Sequence, residues 1–316
     1  MKVAIAALLL TAAMPAKAAC QSLVQVNAAL QAGEVDKALA LLSPLPQSAE
    51  WHNLNCRVQY ALEHWDSAVN EWERADSMDG QNSNYHLWLG RALGEKASRA
   101  SFLSAYSLGK RVHSEFEAAV NLDPRNAEAL ADLGEFDYSA PGIVGGGDDK
   151  AEKVAAQLDQ ADPVRAHELR ARIAEKDKNY GTAEHEIKQA LEVSKHPAFQ
   201  WMTLAAFYRR RGRLQEMETA VEKGYRAAGH EKHAGVALCN GASSLIRAGK
   251  NFELAAKLLE MYLSGDSLTE EVPAFKAYTQ LAKLKADLGD KAGAQAEKAA
   301  ALALAHNYKP AMELNF

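Results

Sequence analysis

Residues 201–212, WMTLAAFYRRRG, decide the fold. Trp201, Leu204, Ala205 and Tyr208 are spaced three, four and seven apart, so they share one face of a helix, and Gly212 follows as its stop. The small Ala205 lets a neighbouring helix approach closely. The register returns at residues 85–90 (YHLWLG, with Leu89 and Gly90), 123–134 (DPRNAEALADLG) and 281–289 (LAKLKADLG). A spacing of about 34 residues, enough for two short helices and their turns, marks a stacked helical repeat.

The second helix of each unit has its own pattern: a small residue, a large one four later, a small one three beyond that. Ala68, Trp72 and Ala75 show it. Asp-Pro pairs at 123–124 and 162–163 close units, because Pro starts a helix but cannot continue one. Eight units follow, at about 21–47, 49–82, 83–126, 127–163, 164–197, 198–231, 234–270 and 271–307, with 308–316 as a cap in which Tyr308, Met312, Leu314 and Phe316 fold back over the last helix. The third is long because EKASRASFLSAYSLGKR extends its helices; the fourth is long because of a loop over 140–147. Four tryptophans, Trp51, Trp65, Trp72 and Trp201, sit at packing positions, whereas Trp88 is one register off. Runs alternating with period two are scarce, so the expected class is all-α.

These residues resemble the tetratricopeptide repeat (TPR) superfamily over nearly the whole chain past residue 20. The resemblance implies a right-handed α-solenoid of about eight helix-turn-helix units, each sharing its core with immediate neighbours. It also implies a concave face, lined by the first helices, that binds a protein or peptide segment, and it makes the chain a non-catalytic scaffold. Its Lys/Asn clamp for chaperone partners is not matched here.

Lys2, the apolar stretch from Val3 to Ala13 and the small residues of Ala16-Lys17-Ala18 read as a cleaved signal peptide over about 1–18. Export, most simply to the periplasm, is the expected localisation, as for the periplasmic TPR proteins of Gram-negative bacteria. Lys17 spoils the small apolar box that lipid attachment at Cys20 needs. The stretch is too short to span a bilayer and no other segment qualifies. Export permits a Cys20–Cys56 disulfide; the competing reading makes Cys56 and Cys239 small buried hydrophobes. A net charge of −5 argues against nucleic acid as partner. The charge is uneven, acidic up to about residue 163 and mildly basic through the middle.

Positions 5, 9 and 12 of each first helix should face inward. They are Asn53, Arg57 and Tyr60; Leu87, Arg91 and Gly94; Ala131, Glu135 and Tyr138; Glu168, Arg172 and Glu175; Met202, Ala206 and Arg209; Asn240, Ser244 and Arg247. Arginine forks grip carboxylates and amide oxygens at two points. The candidate partner-binding set is Asn53, Arg57, Tyr60, Trp88, Arg91, Tyr138, Arg172, Arg209 and Arg247. The competing reading is a solvated groove with internal pairs such as Arg172 with Glu168 or Glu175. Arg209-Arg210-Arg211-Gly212-Arg213 has two readings as well: favourable cations at a helix C-terminus, or an anion contact.

The loop Pro141, Gly142, Ile143, Val144, Gly145, Gly146, Gly147 reads as a structural insert or as a partner-binding lid. A phosphate site fails there, since Asp148 and Asp149 follow the glycines where Lys and Ser/Thr are needed. A transport-accessory or small-molecule role, with this loop and the long third unit shaping a pocket, is the alternative function. His185-Glu186 and His230-Glu231-Lys232-His233 lack metalloprotease spacing, so no metal, cofactor or catalytic residue is expected. Self-association is left open.

Overall fold

The computed structural model describes the backbone of residues 16–316 and the side chains from Gln21 onward. Most of the expected leader, and the side chain of Cys20, lie outside these residues. The chain runs α1 (Ala16–Gln31), α2 (Val35–Leu42), α3 (Ala49–Ala61), α4 (Trp65–Met78), α5 (Ser83–Ala97), α6 (Phe102–Leu122), α7 (Ala127–Ser139), α8 (Asp148–Ala161), α9 (Pro163–Lys176), α10 (Tyr180–Val193), α11 (Pro197–Arg210), α12 (Leu214–Ala228), α13 (Gly235–Ala248), α14 (Phe252–Ser264), α15 (Ala274–Asp287), α16 (Lys291–Leu304) and the short α17 (Lys309–Met312). Consecutive helices pair as antiparallel hairpins, and no helix among the described residues is long and apolar enough to cross a membrane.

Local chemistry starts and stops the helices. Ser48, Asn82, Asn126, Asp162, Asn179, Asn251 and Asp290 each accept a backbone N–H of the helix they open. Alanines at the small positions (Ala68, Ala75, Ala183, Ala190, Ala205) are fully buried, which brings helices close enough for Trp72, Ile187 and Phe207 to fill the space between. Cys56 and Cys239 are free thiols buried in this packing, and burial pushes both thiol pKa values up.

In six units the short turn between first and second helices contains a residue with a left-handed backbone. Glycine supplies it in four units, but Glu63 (φ 64°) and Lys178 (φ 61°) supply it in two. Lys178 is exposed and, among the described residues, makes no side-chain hydrogen bond or ion pair that would offset its strain. Lys178→Gly should therefore raise stability by about 0.5–1 kcal/mol in thermal unfolding. No gain would mean the turn tolerates the side chain freely.

The long third unit comes from α6, 21 residues in length, whose free amino-terminal end leaves Phe102 and Leu103 each 80% exposed. The loop after α7 forms a 3-10 turn over Gly142–Val144. Val144 is buried against Gly109 of α6, whereas Ile143 points out. Two of its glycines are steric necessities: a Cβ would lie 2.1 Å from the Ala140 carbonyl oxygen on Gly146 and 2.7 Å from His113 Nδ1 on Gly145. The Gly147 N–H donates to the Asp137 carbonyl at 2.7 Å.

Asp137, beneath this loop, is 2% exposed, with His113 Nε2 at 3.4 Å. Burial raises its pKa to about 6, against the opposing charge of His113. An unfolded Asp titrates near 4, so between about pH 4 and 6 the folded chain holds a proton that the unfolded chain has lost. Stability contributed here therefore falls as pH rises through that window. Asp137→Asn should remove this slope and stabilise the protein at pH 7.5 by about 1–2 kcal/mol. An unchanged pH profile would refute it.

One expectation fails. The units do not touch immediate neighbours alone, because the array closes on itself. Phe275 of α15, Ala301 and Ala305 of the α16 end, and Tyr308 and Ala311 of the tail share one core with Val26, Leu30, Val35, Leu42 and Val58 of the first two units. Polar latches reinforce it. Glu63 accepts from Lys276 (2.9 Å) and the Tyr308 hydroxyl (3.2 Å); Asp36 accepts the His306 N–H (2.9 Å). The tail is thus a bridge as well as a cap: Tyr308 is buried in the closure, Lys298 holds the Leu314 carbonyl at 2.6 Å, and Met312 is exposed.

Candidate functional site

Closure turns the concave face into the inside of a ring. The first helices α7, α9, α11 and α13 line a cleft of about 640 Å³ there. Of the twelve positions read as inward in these four units, all but Tyr138 border it. Tyr138 donates to Glu135 at 2.8 Å, just beside the cleft. On the other arc Tyr60, Arg91 and Gly94 border a second, shallower cavity. Leu87, by contrast, is buried core.

The candidate residues differ in what they already hold. Arg57 donates Nε (3.0 Å) and an NH₂ group (2.6 Å) to Glu270, and also reaches Asn27 at 2.8 Å. Arg91 pairs with Asp132 and Glu128 and lies over the Trp88 ring, 4.6 Å from its centroid. Trp88 itself stacks on Trp72 at 5.6 Å and Tyr60 meets it edge-on, so both aromatics belong to the packing between units. Asn53 donates to Glu50 of its own helix. Arg172 makes no direct pair with Glu168 or Glu175 but lies in the field of Glu135, Glu175 and Glu168, which outweighs burial and raises its pKa. Glu168 instead accepts from Gln200 at 3.0 Å, and burial raises its pKa.

The arginine run separates in the same way. Arg210 grips Glu175 with two bonds at 2.9 and 2.7 Å; Arg211 stacks on Tyr180 near that carboxylate; Arg213 joins Glu184 and Glu216. Among the described residues Arg209 has no such partner, and neither does Arg247 one unit on.

The acidic connection between α14 and α15 was not singled out in the sequence. Glu270 and Glu271 sit at its tip, inside the ring. Glu270 meets Arg57, and Glu271 feels Glu128, Arg165 and Arg91 from three other units, with burial chiefly raising its pKa. The signal available was two adjacent glutamates in a segment, DSLTEEVP, that breaks the repeat. The 141–147 loop borders neither cavity; it packs on α6. Among the described residues no three His, Cys, Asp or Glu side chains converge as metal ligands.

No family model matches the sequence, and no curated protein matches it. Solved structures do. A thermophilic TPR protein of Thermus thermophilus superposes with a TM-score of 0.50 at 18% identity, over 61% of this chain and 98% of that one. The apo quorum sensor NprR of B. thuringiensis aligns over 90% of this chain and 87% of its own, at 13% identity and TM-score 0.46. MamA aligns over 54% and 93%, at 14% identity and TM-score 0.36. The first superposition, with the hairpin register, settles the architecture: this chain has the tetratricopeptide-repeat fold, an all-α solenoid of stacked helical hairpins.

Proposed function

We propose that this chain is an interaction scaffold that receives a segment of a partner polypeptide inside its ring, and that it works after export to the periplasm. The observation that carries the reading is the cleft itself. Four successive first helices turn charged and hydrogen-bonding side chains, rather than a closed apolar core, toward one space of about 640 Å³. A cleft of that size fits a few residues of extended chain and is too small for a folded domain. The small-molecule alternative gains nothing from the 141–147 loop, which stands away from the cleft.

A photo-crosslinking amino acid at Ala206 or Ser243 inside, compared with Gln215 outside on α12, tests this in cells. The expected result is a polypeptide adduct from the inner positions. Adducts from Gln215 alone would refute the ring as binding surface. Amino-terminal sequencing of the purified protein tests export, with a start near Ala19 expected and an intact Met1 contradicting it.

A further inference from the structure

The ring interior contains one patch of positive charge that the molecule itself leaves unanswered. Arg209 of α11 and Arg247 of α13 occupy the same register position in successive units, and both border the cleft. Among the described residues neither makes a hydrogen bond or an ion pair, although every other member of the arginine run does. Arg209 Nε is buried with no partner. The pKa of Arg209 is held below the usual guanidinium value, first by burial and then by Arg247 and Arg210, and no carboxylate offsets them. Arg210 is spent on Glu175. Beside the pair, Ser244 is 4% exposed and borders the same cleft. Arg247 and Arg210 are like charges beside Arg209, and an incoming anion relieves their repulsion.

The chain also shows which anion its interior accepts. On the opposite arc, Arg57 takes the side-chain carboxylate of Glu270 from a tight turn, closed by the Thr269–Val272 bridge, in the connection between α14 and α15. The same residue type, at an inward position of another unit, thus already binds a glutamate presented on a backbone. Accepting the scaffold reading above, we propose that Arg209, Arg247 and Ser244 form a binding site for an acidic side chain, Asp or Glu, of an extended partner segment. The two guanidinium groups hold the carboxylate oxygens and the Ser244 hydroxyl donates to one of them. Met202, Ala206 and Thr203 form the adjoining wall.

The test uses the full chain and a hexaglutamate peptide acetylated at one end and amidated at the other, so that only side-chain carboxylates are offered. Calorimetry or fluorescence anisotropy should show saturable binding that weakens with added salt. Arg209→Ala and Arg247→Ala should each weaken it about tenfold, and the double variant about a hundredfold, as expected for losing charge-assisted bonds. Arg74→Ala, on an exposed pair of the outer surface, should change nothing. The variants keep wild-type helical circular dichroism, since no native hydrogen bond or ion pair among the described residues is removed.

Equal binding by the double variant overturns the site. Tighter binding of inorganic phosphate than of the peptide at these two arginines overturns the carboxylate assignment. If inner positions crosslink a polypeptide but hexaglutamate does not bind, this inference fails while the scaffold reading stands. If hexaglutamate binds as described but no inner position crosslinks in cells, the reverse holds.

Discussion

Phe275→Ala should open the ring without unfolding the helices. Phe275 is fully buried, lies 4.8 Å from the Tyr308 ring, and belongs to the core that joins the last unit to the first. Truncating a buried Phe costs about 3–5 kcal/mol, and here the loss falls on one interface. In a solenoid each unit draws its stability mainly from its neighbours, so the remaining stack can persist as an open array. Helical circular dichroism should stay near wild type while small-angle scattering reports a larger radius of gyration. Acid should do the same by another route. Burial alone would raise the pKa of Glu63, but its bonds to Lys276 and Tyr308 outweigh burial and lower it. The ionised latch is thus complete above about pH 4.3, the ordinary Glu value, and is lost as pH falls through the lower folded value. An unchanged radius in the variant would show that closure does not depend on this core.

Trp72 should show the second large effect, and its two substitutions should differ. Its side chain is 0% exposed, stacks on Trp88 and meets Tyr60 at 5.8 Å. Trp72→Ala should cost about 3–5 kcal/mol by leaving a cavity between units. Trp72→Phe should cost under about 1.5 kcal/mol, because it keeps an aromatic ring in place. It also removes an indole N–H that is buried without a partner, a defect costing about 1–3 kcal/mol. Urea unfolding of both variants is the measurement. Equal losses would mean that the indole's size, rather than its polarity, governs the site.

Much of this architecture was legible in the residues. Ala68, Trp72 and Ala75 lie on one face because a helix repeats every 3.6 residues, and that face must be covered by the next hairpin. The inward arc from Ala131 to Arg247 followed from the same counting. What a given inward side chain holds did not follow. Trp88 and Tyr60, singled out as candidate contact residues, also pack between units, because aromatic rings from α3, α4 and α5 converge there. Arg57 looked free but is taken by Glu270, 213 residues away. The 141–147 loop could be read as an insert or a lid; what its glycines serve, close approach of Gly146 to Ala140 and of Gly145 to His113, did not follow from the residues.

The sequence by itself determined that the chain is a stack of helical hairpins and which face of α7, α9, α11 and α13 turns inward. Both depend on residues a few positions apart, whose relative directions the helix dictates. Only the tertiary structure decided that the stack closes, that an acidic loop enters the ring, and that Arg209 and Arg247 are left without carboxylates. Closure depends on small rotations summed over eight hairpins, and counter-ions come from whichever helix those rotations bring near. Neither quantity has a period along the chain.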